Sequence, residues 1–322
     1  MRSILTPVRG VAVLGAAGLL AAACGSSGGG ASAEGAADGG GGAGSDGERP
    51  TIVVTTTILG DIVQNVAGEE AEVEVLLPRG ADPHEASLSA RQAEDMTDAD
   101  LLVTNGAGFE EGMASVIASV EDAGTPVFAF ADHVDLLPAG EDDHDATGDP
   151  HVWTDPARMA AATAQLGERI AELDGLDVAV IEASTADYVA ALEELDRELD
   201  DMLAPIPAQQ RVLVTNHEVF GYFADRYDFE VVGAVIPAQS TLAEASPAGI
   251  EELADTIERE GVRAIFAEST QSTDLAEALA DQVGDIEVVT LFTESLGDDG
   301  SGAETYVDMM RTNAQLVVEA LG

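Results

Sequence analysis

Short apolar runs alternate with longer amphipathic stretches from residue 50 to the end of the chain. Runs rich in β-branched residues favour strands, whereas apolar residues at three- and four-residue intervals favour helices. The runs that predict strands are Thr51–Thr55, Val73–Leu77, Leu101–Thr104 and Val127–Phe130 in the first half, and Val212–Thr215, Val231–Val235, Ala264–Ala267 and Val288–Leu291 in the second. Such alternation predicts βα units around parallel sheets.

Helical patterns occupy the segments between these runs. One is Ser89–Met96, and another is expected over Ala157–Leu173. Asp155 suits the N-cap of the latter, and Pro156 suits its first helical position. The longest pattern covers Val178–Leu203, with acids on the face opposite its apolar residues. The apolar positions are Tyr188, Leu192, Leu195, Leu199, Met202 and Leu203. This helix would be roughly 35–40 Å long, about the length of a domain.

The two halves of the pattern follow the same order. In each half the first run ends at a threonine, and the second closes on a proline. We therefore predict an α/β fold of two similar (βα)4-type lobes, each around a parallel sheet, joined by one long rigid α-helix. The predicted boundaries are 50–177 for the N-terminal lobe, 178–205 for the linking helix and 206–322 for the C-terminal lobe.

The N-terminus predicts export. Residues 1–23 combine arginines with a short uncharged apolar stretch that ends in small residues, which is typical of a secretory signal. The stretch Leu20–Cys24 resembles a bacterial lipoprotein cleavage box, with Cys24 as the lipidated residue; the alternative is an ordinary cleaved signal. Cys24 is the single cysteine, so it has no partner for an intramolecular disulfide. Residues 24–49 then read as the lipidated cysteine followed by a flexible Gly/Ala/Ser tether.

Charge narrows the choice of partners. The chain has 61 acidic and 13 basic residues and a formal net charge of −48. Such a chain is repelled by phosphate backbones and by anionic membrane surfaces, so we expect no nucleic-acid partner. The excess of acids is typical of surface solvation, and it does not define a site.

The most informative motif is Asp-Pro-His, which occurs at Asp82–His84 and at Asp149–His151 in a chain with five histidines. Proline fixes its own φ and favours an extended residue before it, so each histidine leaves a stiff corner. A third histidine, His217, directly follows an apolar run. Because imidazole is the commonest metal ligand in proteins, three histidines placed in this way predict a metal site.

All three histidines follow predicted strands. Parallel sheets bind ligands at the carboxyl ends of their strands, so a cleft between two such sheets would collect these loops. The second sheet should then supply a fourth ligand, and two acids follow its runs. They are Glu294, which we prefer, and Glu268, which we expect to support a ligand instead.

These motifs together resemble the metal-binding lipoproteins of ABC importers for zinc and manganese, over essentially the whole mature domain. The matching stretches are Gly80–His84, Asp149–Trp153, Asn216–Phe223, Phe292–Glu294 and Thr305–Tyr306. The resemblance implies one metal in the cleft between the lobes, held by His84, His151, His217 and Glu294. The fourth position is usually aspartate in that family, and here it is the longer glutamate.

The resemblance also implies the function. Three imidazoles and one carboxylate suit tetrahedral zinc better than manganese, which prefers oxygen ligands. We therefore expect a monomeric, lipid-anchored extracytoplasmic protein that binds Zn²⁺ with high affinity and delivers it to a membrane permease with a cytoplasmic ATPase. Because the histidines must be neutral, affinity should fall below about pH 6.5.

Other interpretations remain open from sequence. One is a manganese-binding member of the same family, and another is a surface adhesin. A third is an exported zinc hydrolase in which Glu218 or Glu294 activates a water. The acidic segment 141–145 contains His144, which could collect metal or be an ordinary solvated residue, and His133 is expected to be structural or exposed.

Overall fold

A computed structural model of the chain describes residues 49–140, 147–284 and 286–322. The predicted signal peptide, Cys24 and the tether as far as residue 48 lie outside the described residues, and so does His144. The described part forms two α/β lobes and a long helix between them.

The first lobe is built on a four-stranded parallel sheet. Its strands are β1 (Thr51–Val54), β2 (Glu72–Val75), β3 (Leu101–Thr104) and β4 (Val127–Ala129), and its helices are α1 (Thr57–Ala67), α2 (Ala90–Asp98), α3 (Ala114–Ala123) and α4 (Pro156–Ile170). The strand order is β2-β1-β3-β4. The predicted cap of α4 is confirmed, because Asp155 accepts hydrogen bonds from the backbone N–H groups of Ala157 and Arg158.

The long helix α5 spans Val178–Leu203. Its buried face contains Ile181, Tyr188, Leu192, Leu195, Leu199 and Leu203. It packs against α1 and α4 of the first lobe. No helix of the described residues is both long and apolar enough to cross a membrane.

The second lobe repeats the first in strand order. Its strands are β5 (Val212–Thr215), β6 (Glu230–Ala234), β7 (Ala264–Glu268) and β8 (Glu287–Leu291), and its helices are α6 (Gly221–Tyr227), α7 (Pro247–Glu260), α8 (Asp274–Val283) and α9 (Tyr306–Leu321). All neighbouring strands pair in parallel, in the order β6-β5-β7-β8. The predicted α/β class, with two similar lobes and a joining helix, is therefore confirmed.

One apolar core runs through both lobes and α5. Alternation along the strands shows how it forms, since Ile52 and Val54 of β1 join this shared core while Val53 joins a separate cluster of the first lobe. In β5, Leu213 joins the shared core and Val214 joins a separate cluster of the second lobe. Both lobes and α5 therefore contribute to one shared core, while each lobe also has an apolar cluster of its own.

Candidate metal centre

The first Asp-Pro-His corner places His84 in the loop after β2, where the residue is 1% exposed. Asp82 Oδ1 accepts a hydrogen bond from the backbone N–H of His84 at 2.8 Å, which fixes the corner. The imidazole is held by a different acid, because its Nδ1 lies 3.0 Å from Oε1 of Glu111. Glu111 begins a 3₁₀ turn after β3, and the remaining ring nitrogen of His84 points into the cleft.

The second corner repeats the backbone of the first but not its side-chain contacts. Asp149 Oδ1 accepts a hydrogen bond from the backbone N–H of His151 at 2.9 Å. The same oxygen lies 2.7 Å from His151 Nδ1. Here one aspartate therefore fixes both the turn and the ring, and His151 is completely buried.

The second lobe supplies His217 directly after β5. Glu268, the last residue of β7, accepts hydrogen bonds through Oε1 from both the backbone N–H and Nδ1 of His217. The other carboxylate oxygen of Glu268 accepts a hydrogen bond from the hydroxyl of Thr293 at 2.7 Å. Both carboxylate oxygens of Glu268 are therefore engaged, one with His217 and the other with Thr293.

Glu294 lies three residues beyond the end of β8 and completes the group. Its Oε1 is 3.1 Å from His84 Nε2, 3.2 Å from His217 Nε2 and 4.0 Å from His151 Nε2. One donor atom from each of these four buried residues lies within 4.8 Å of the others. Within the described residues, neither carboxylate oxygen of Glu294 nor Nε2 of His84 makes a hydrogen bond of good geometry. Buried nitrogen and oxygen atoms without hydrogen-bond partners are costly, and a cation bound between them would offset this cost.

Each of the three imidazoles has its Nδ1 against a carboxylate and its Nε2 toward the centre. A carboxylate at Nδ1 keeps the proton there, which leaves the Nε2 lone pair free for a metal. The sequence predicts a supporting role for Glu268 but gives no such role to Asp149 or Glu111. Asp149 was visible within the motif, whereas Glu111 lies 27 residues from His84 and had no sequence signal.

The electrostatics differ among the four groups. Burial lowers the pKa of the His151 imidazole. Burial acts in the same direction on His84, but the carboxylates of Glu111 and Glu294 outweigh it and raise the pKa to about 9. Burial is likewise outweighed at His217 by Glu268 and Glu294, so its pKa lies well above the usual value. The imidazoles of His217 and His84 hold the pKa of Glu294 below its usual range although burial opposes them. The metal-free centre therefore binds protons that a metal must displace.

A glycine lies close behind each corner. A Cβ added at Gly221 would lie 2.6 Å from Oδ2 of Asp149, and one added at Gly112 would overlap the carbonyl oxygen of Ala86. Gly112 also donates its backbone N–H to the carbonyl of His84 at 3.2 Å. The absence of a side chain at these two positions allows the supporting segments to approach the corners closely.

The single tryptophan of the chain connects the two lobes beside the centre. Trp153 donates its indole N–H to the carbonyl of Thr293 at 2.6 Å. Its own carbonyl accepts a hydrogen bond from the hydroxyl of Tyr306 at 2.6 Å. The indole ring lies 5.3 Å from the His151 ring, so its fluorescence should respond to events at the centre.

The remaining sequence candidates lie apart from this group. His133 is exposed and stacks on Phe128 with 4.2 Å between ring centroids, as expected for a structural or surface histidine. Glu218 follows His217 directly but does not belong to the four-residue group.

A family match, two relatives and a solved structure all relate this chain to metal-binding proteins. Residues 52–320 match the family described as zinc-uptake complex component A, periplasmic (ZnuA). The chain is 30% identical over 270 residues to the manganese-binding lipoprotein MntA of Halalkalibacterium halodurans, covering 84% of this chain and 88% of the relative. It is 31% identical over 280 residues to the zinc-binding protein TroA of Treponema pallidum, covering 85% and 89%. The solved structure of that TroA superimposes with a TM-score of 0.79 over 85% of this chain and 100% of TroA.

Proposed function

Because the chain belongs to the family of periplasmic zinc-uptake component A proteins, we propose that it captures Zn²⁺ and delivers it to the permease of an ABC importer. Members of this family are metal-binding solute-binding components of importers and not enzymes. The alternative of an exported zinc hydrolase is therefore wrong.

The observation that carries the proposal is the convergence of three Nε2 atoms and one carboxylate within 4.8 Å. In this proposal His84 and His151 bind the metal from the first lobe, and His217 and Glu294 bind it from the second. Three nitrogen donors and one oxygen donor match tetrahedral zinc. Glu294 takes the position of the usual aspartate, and its proximity to two of the imidazoles supports this role.

The choice of zinc over manganese follows from the donor atoms and not from the relatives. A manganese-binding protein and a zinc-binding protein are similar to this chain at 30% and 31% identity. Manganese favours oxygen-rich sites, and this centre offers nitrogen from three of its four residues. A manganese-binding role is the second candidate, because one of these two relatives has it.

The position in the cell is part of the same proposal. We infer a signal peptide over 1–23, a lipid on Cys24, a tether to residue 49, and lobes 50–177 and 206–322 around a linking helix 178–205. Such a protein would be held at the outer face of the membrane, as a monomer beside its permease. Extracytoplasmic lipoproteins among the relatives support this arrangement.

Competitive calorimetry tests the metal. We expect one equivalent of Zn²⁺ per chain and weaker binding of Mn²⁺ in the same buffer. Cys24→Ser should be present throughout, because a free thiol also binds zinc. The triple variant His84→Ala, His151→Ala, His217→Ala should bind neither metal, and His133→Ala is the matched control with unchanged binding. Zinc binds more tightly than manganese to most nitrogen and oxygen sites, so a second variant is needed. His217→Asp should reduce the preference for zinc, and tighter binding of manganese by the unsubstituted chain would contradict the zinc assignment.

A further inference from the structure

Asp82 makes contacts that its counterpart in the second corner does not make. One carboxylate oxygen fixes the His84 corner, and the other accepts a hydrogen bond from the hydroxyl of Thr241 at 2.7 Å. The side-chain amide of Gln271 donates to that same oxygen. Thr241 follows β6 and Gln271 follows β7, so a single carboxylate joins a loop of the first lobe to two loops of the second.

A second acid of the same corner also reaches across the cleft. Glu111, which holds Nδ1 of His84, contacts the hydroxyl of Ser240. Ser240 is adjacent to Thr241 in the chain, so both acids that position His84 end on one short segment of the second lobe. The Asp149 carboxylate instead makes its hydrogen bonds within its own turn.

The contact with Gln271 extends toward the other half of the centre. Gln271 donates its backbone N–H to the carbonyl of Glu268 at 3.4 Å, and the Glu268 side chain holds the ring of His217. Asp82 therefore lies between a ligand-bearing corner of one lobe and the support of a ligand in the other. Separation of the lobes would break both of its contacts with the second lobe.

We propose that Asp82, Thr241 and Gln271 form an interlobe latch, in which Asp82 is a positioning residue that holds His84 against the second lobe and slows release of the metal. This inference rests on the proposed function, since it assigns a role in retaining the metal that the centre binds. The latch acts on the rate at which the cleft opens and supplies no ligand.

Zinc release from the full chain tests the latch. Protein carrying Cys24→Ser and one equivalent of Zn²⁺ is mixed with excess EDTA, and Trp153 fluorescence follows dissociation. In Asp82→Asn the side-chain oxygen can still accept the hydrogen bond from the backbone N–H of His84. The side-chain NH₂ group then faces the NH₂ group of Gln271, and two donors cannot form a hydrogen bond. Asp82→Asn and Gln271→Ala should each release zinc about tenfold faster, because a hydrogen bond to a charged group is lost. The association rate and the stoichiometry should not change.

A double-mutant comparison separates the latch from a general structural effect. Asp82→Asn combined with Gln271→Ala should release zinc no faster than either single variant, because both changes break the same contact. Asp149→Asn is the matched control. It and Gln271→Ala affect separate contacts, so the increase in zinc-release rate of their double variant should equal the product of the two single increases. An unchanged zinc-release rate in Gln271→Ala would overturn the latch. So would a double variant of Asp82→Asn and Gln271→Ala whose rate increase equals the product of the two single increases. In either case, binding of one equivalent of zinc would still support the proposed function.

Thr241→Val keeps the test decisive if Asp82→Asn does not fold. It removes the second donor from a residue outside the ligand loop, so it should also accelerate release. Release at the unsubstituted rate in both Thr241→Val and Gln271→Ala would overturn the latch. Failure of the unsubstituted chain to bind zinc at all would overturn the proposed function and the latch together.

Discussion

The two Asp-Pro-His corners share a sequence and a backbone turn, yet they are supported in different ways. In the second corner Asp149 holds both the turn and the ring of His151. In the first corner these tasks are divided, because Asp82 holds the turn while Glu111 holds the ring of His84. The aspartate freed in this way makes contacts with the opposite lobe.

The Asp-Pro-His tripeptide therefore determines the backbone turn but does not determine which acid contacts Nδ1 of the imidazole. Proline and the hydrogen bond to the aspartate oxygen make the turn locally in both copies. Which acid reaches Nδ1 depends on neighbouring elements, namely the 3₁₀ turn at Glu111 in one case and the position of Gly221 in the other. The Asp149 carboxylate thus makes its hydrogen bonds within its own turn, whereas the Asp82 carboxylate also accepts hydrogen bonds from the second lobe.

The largest expected effect is loss of either imidazole. His84→Ala and His151→Ala should each weaken zinc binding by more than the roughly 100-fold upper range for a supporting hydrogen bond. Both remove a proposed ligand, so the corners should not differ in this comparison. Isothermal titration measures the affinity, and His133→Ala serves as the control. Retention of full affinity by either variant would contradict a role for that corner as a ligand source.

Removal of the acid that supports each imidazole should lower zinc affinity by different amounts at the two corners. Asp149→Ala is expected to lower zinc affinity by about 10–100-fold, and Glu111→Ala should lie at or below the lower end of that range. The reason is exposure, because the Asp149 side chain is 5% exposed and water can replace Glu111, whose side chain is 38% exposed. The same titration measures both. An equal or larger loss in Glu111→Ala would show that solvent does not replace that acid.

Proton release should distinguish the corners as well. The pKa of His84 is raised to about 9 and that of His217 is also raised, whereas the pKa of His151 is lowered. Below about pH 9 the metal-free protein therefore binds protons that zinc displaces, and affinity should rise with pH from 6 to 9. This range lies above the pH 6.5 expected from an ordinary histidine. Each proton displaced changes the affinity about tenfold per pH unit.

Calorimetry in buffers of different ionisation enthalpy measures the number of protons released. We expect about two at pH 7.5, one each from His84 and His217. Glu111→Gln should lower the number of protons released on zinc binding by about one, because it takes away an acid that raises the pKa of His84. Release that is independent of Glu111 would assign the proton to another group.

The smallest expected effect comes from the glycine behind the second corner. A Cβ at Gly221 would lie 2.6 Å from Asp149 Oδ2 and would push this carboxylate away from its ring. Gly221→Ala should weaken zinc binding about fivefold, near the lower end of the cost of overpacking. In the Asp149→Ala background, Gly221→Ala should cause no further loss of zinc affinity, because the carboxylate that the added Cβ would contact is then absent. An extra loss that persists in the double variant would point to a different cause.

Much of this architecture could be predicted from sequence. The eight apolar runs correspond to the eight strands found among the described residues, with small shifts at their ends, since the alternation of runs and amphipathic stretches is a local property. β2 illustrates the limit, because it was expected over Val73–Leu77 and spans Glu72–Val75. Leu76 and Leu77 still donate hydrogen bonds to Val54 and Thr55, but they leave the regular strand.

The centre could be predicted less completely. The three histidines and Glu294 carried signals, because they follow strands and belong to recognisable motifs. Glu111 and the contacts of Asp82 carried none, since they depend on loops of distant parts of the chain meeting in space. Asp82 is 159 residues from Thr241 and 189 from Gln271, and no local pattern encodes such pairings.

A crystal structure of the zinc-loaded protein, with anomalous data at the zinc absorption edge, tests the proposed four-residue zinc site most directly. We expect one anomalous peak between the lobes, with Nε2 of His84, His151 and His217 and one oxygen of Glu294 at about 2.0–2.2 Å from the metal. Both corners would then contribute one ligand each despite their different supports. A peak elsewhere, or a metal held by water with Glu294 remote from it, would show that these four residues do not form the zinc site.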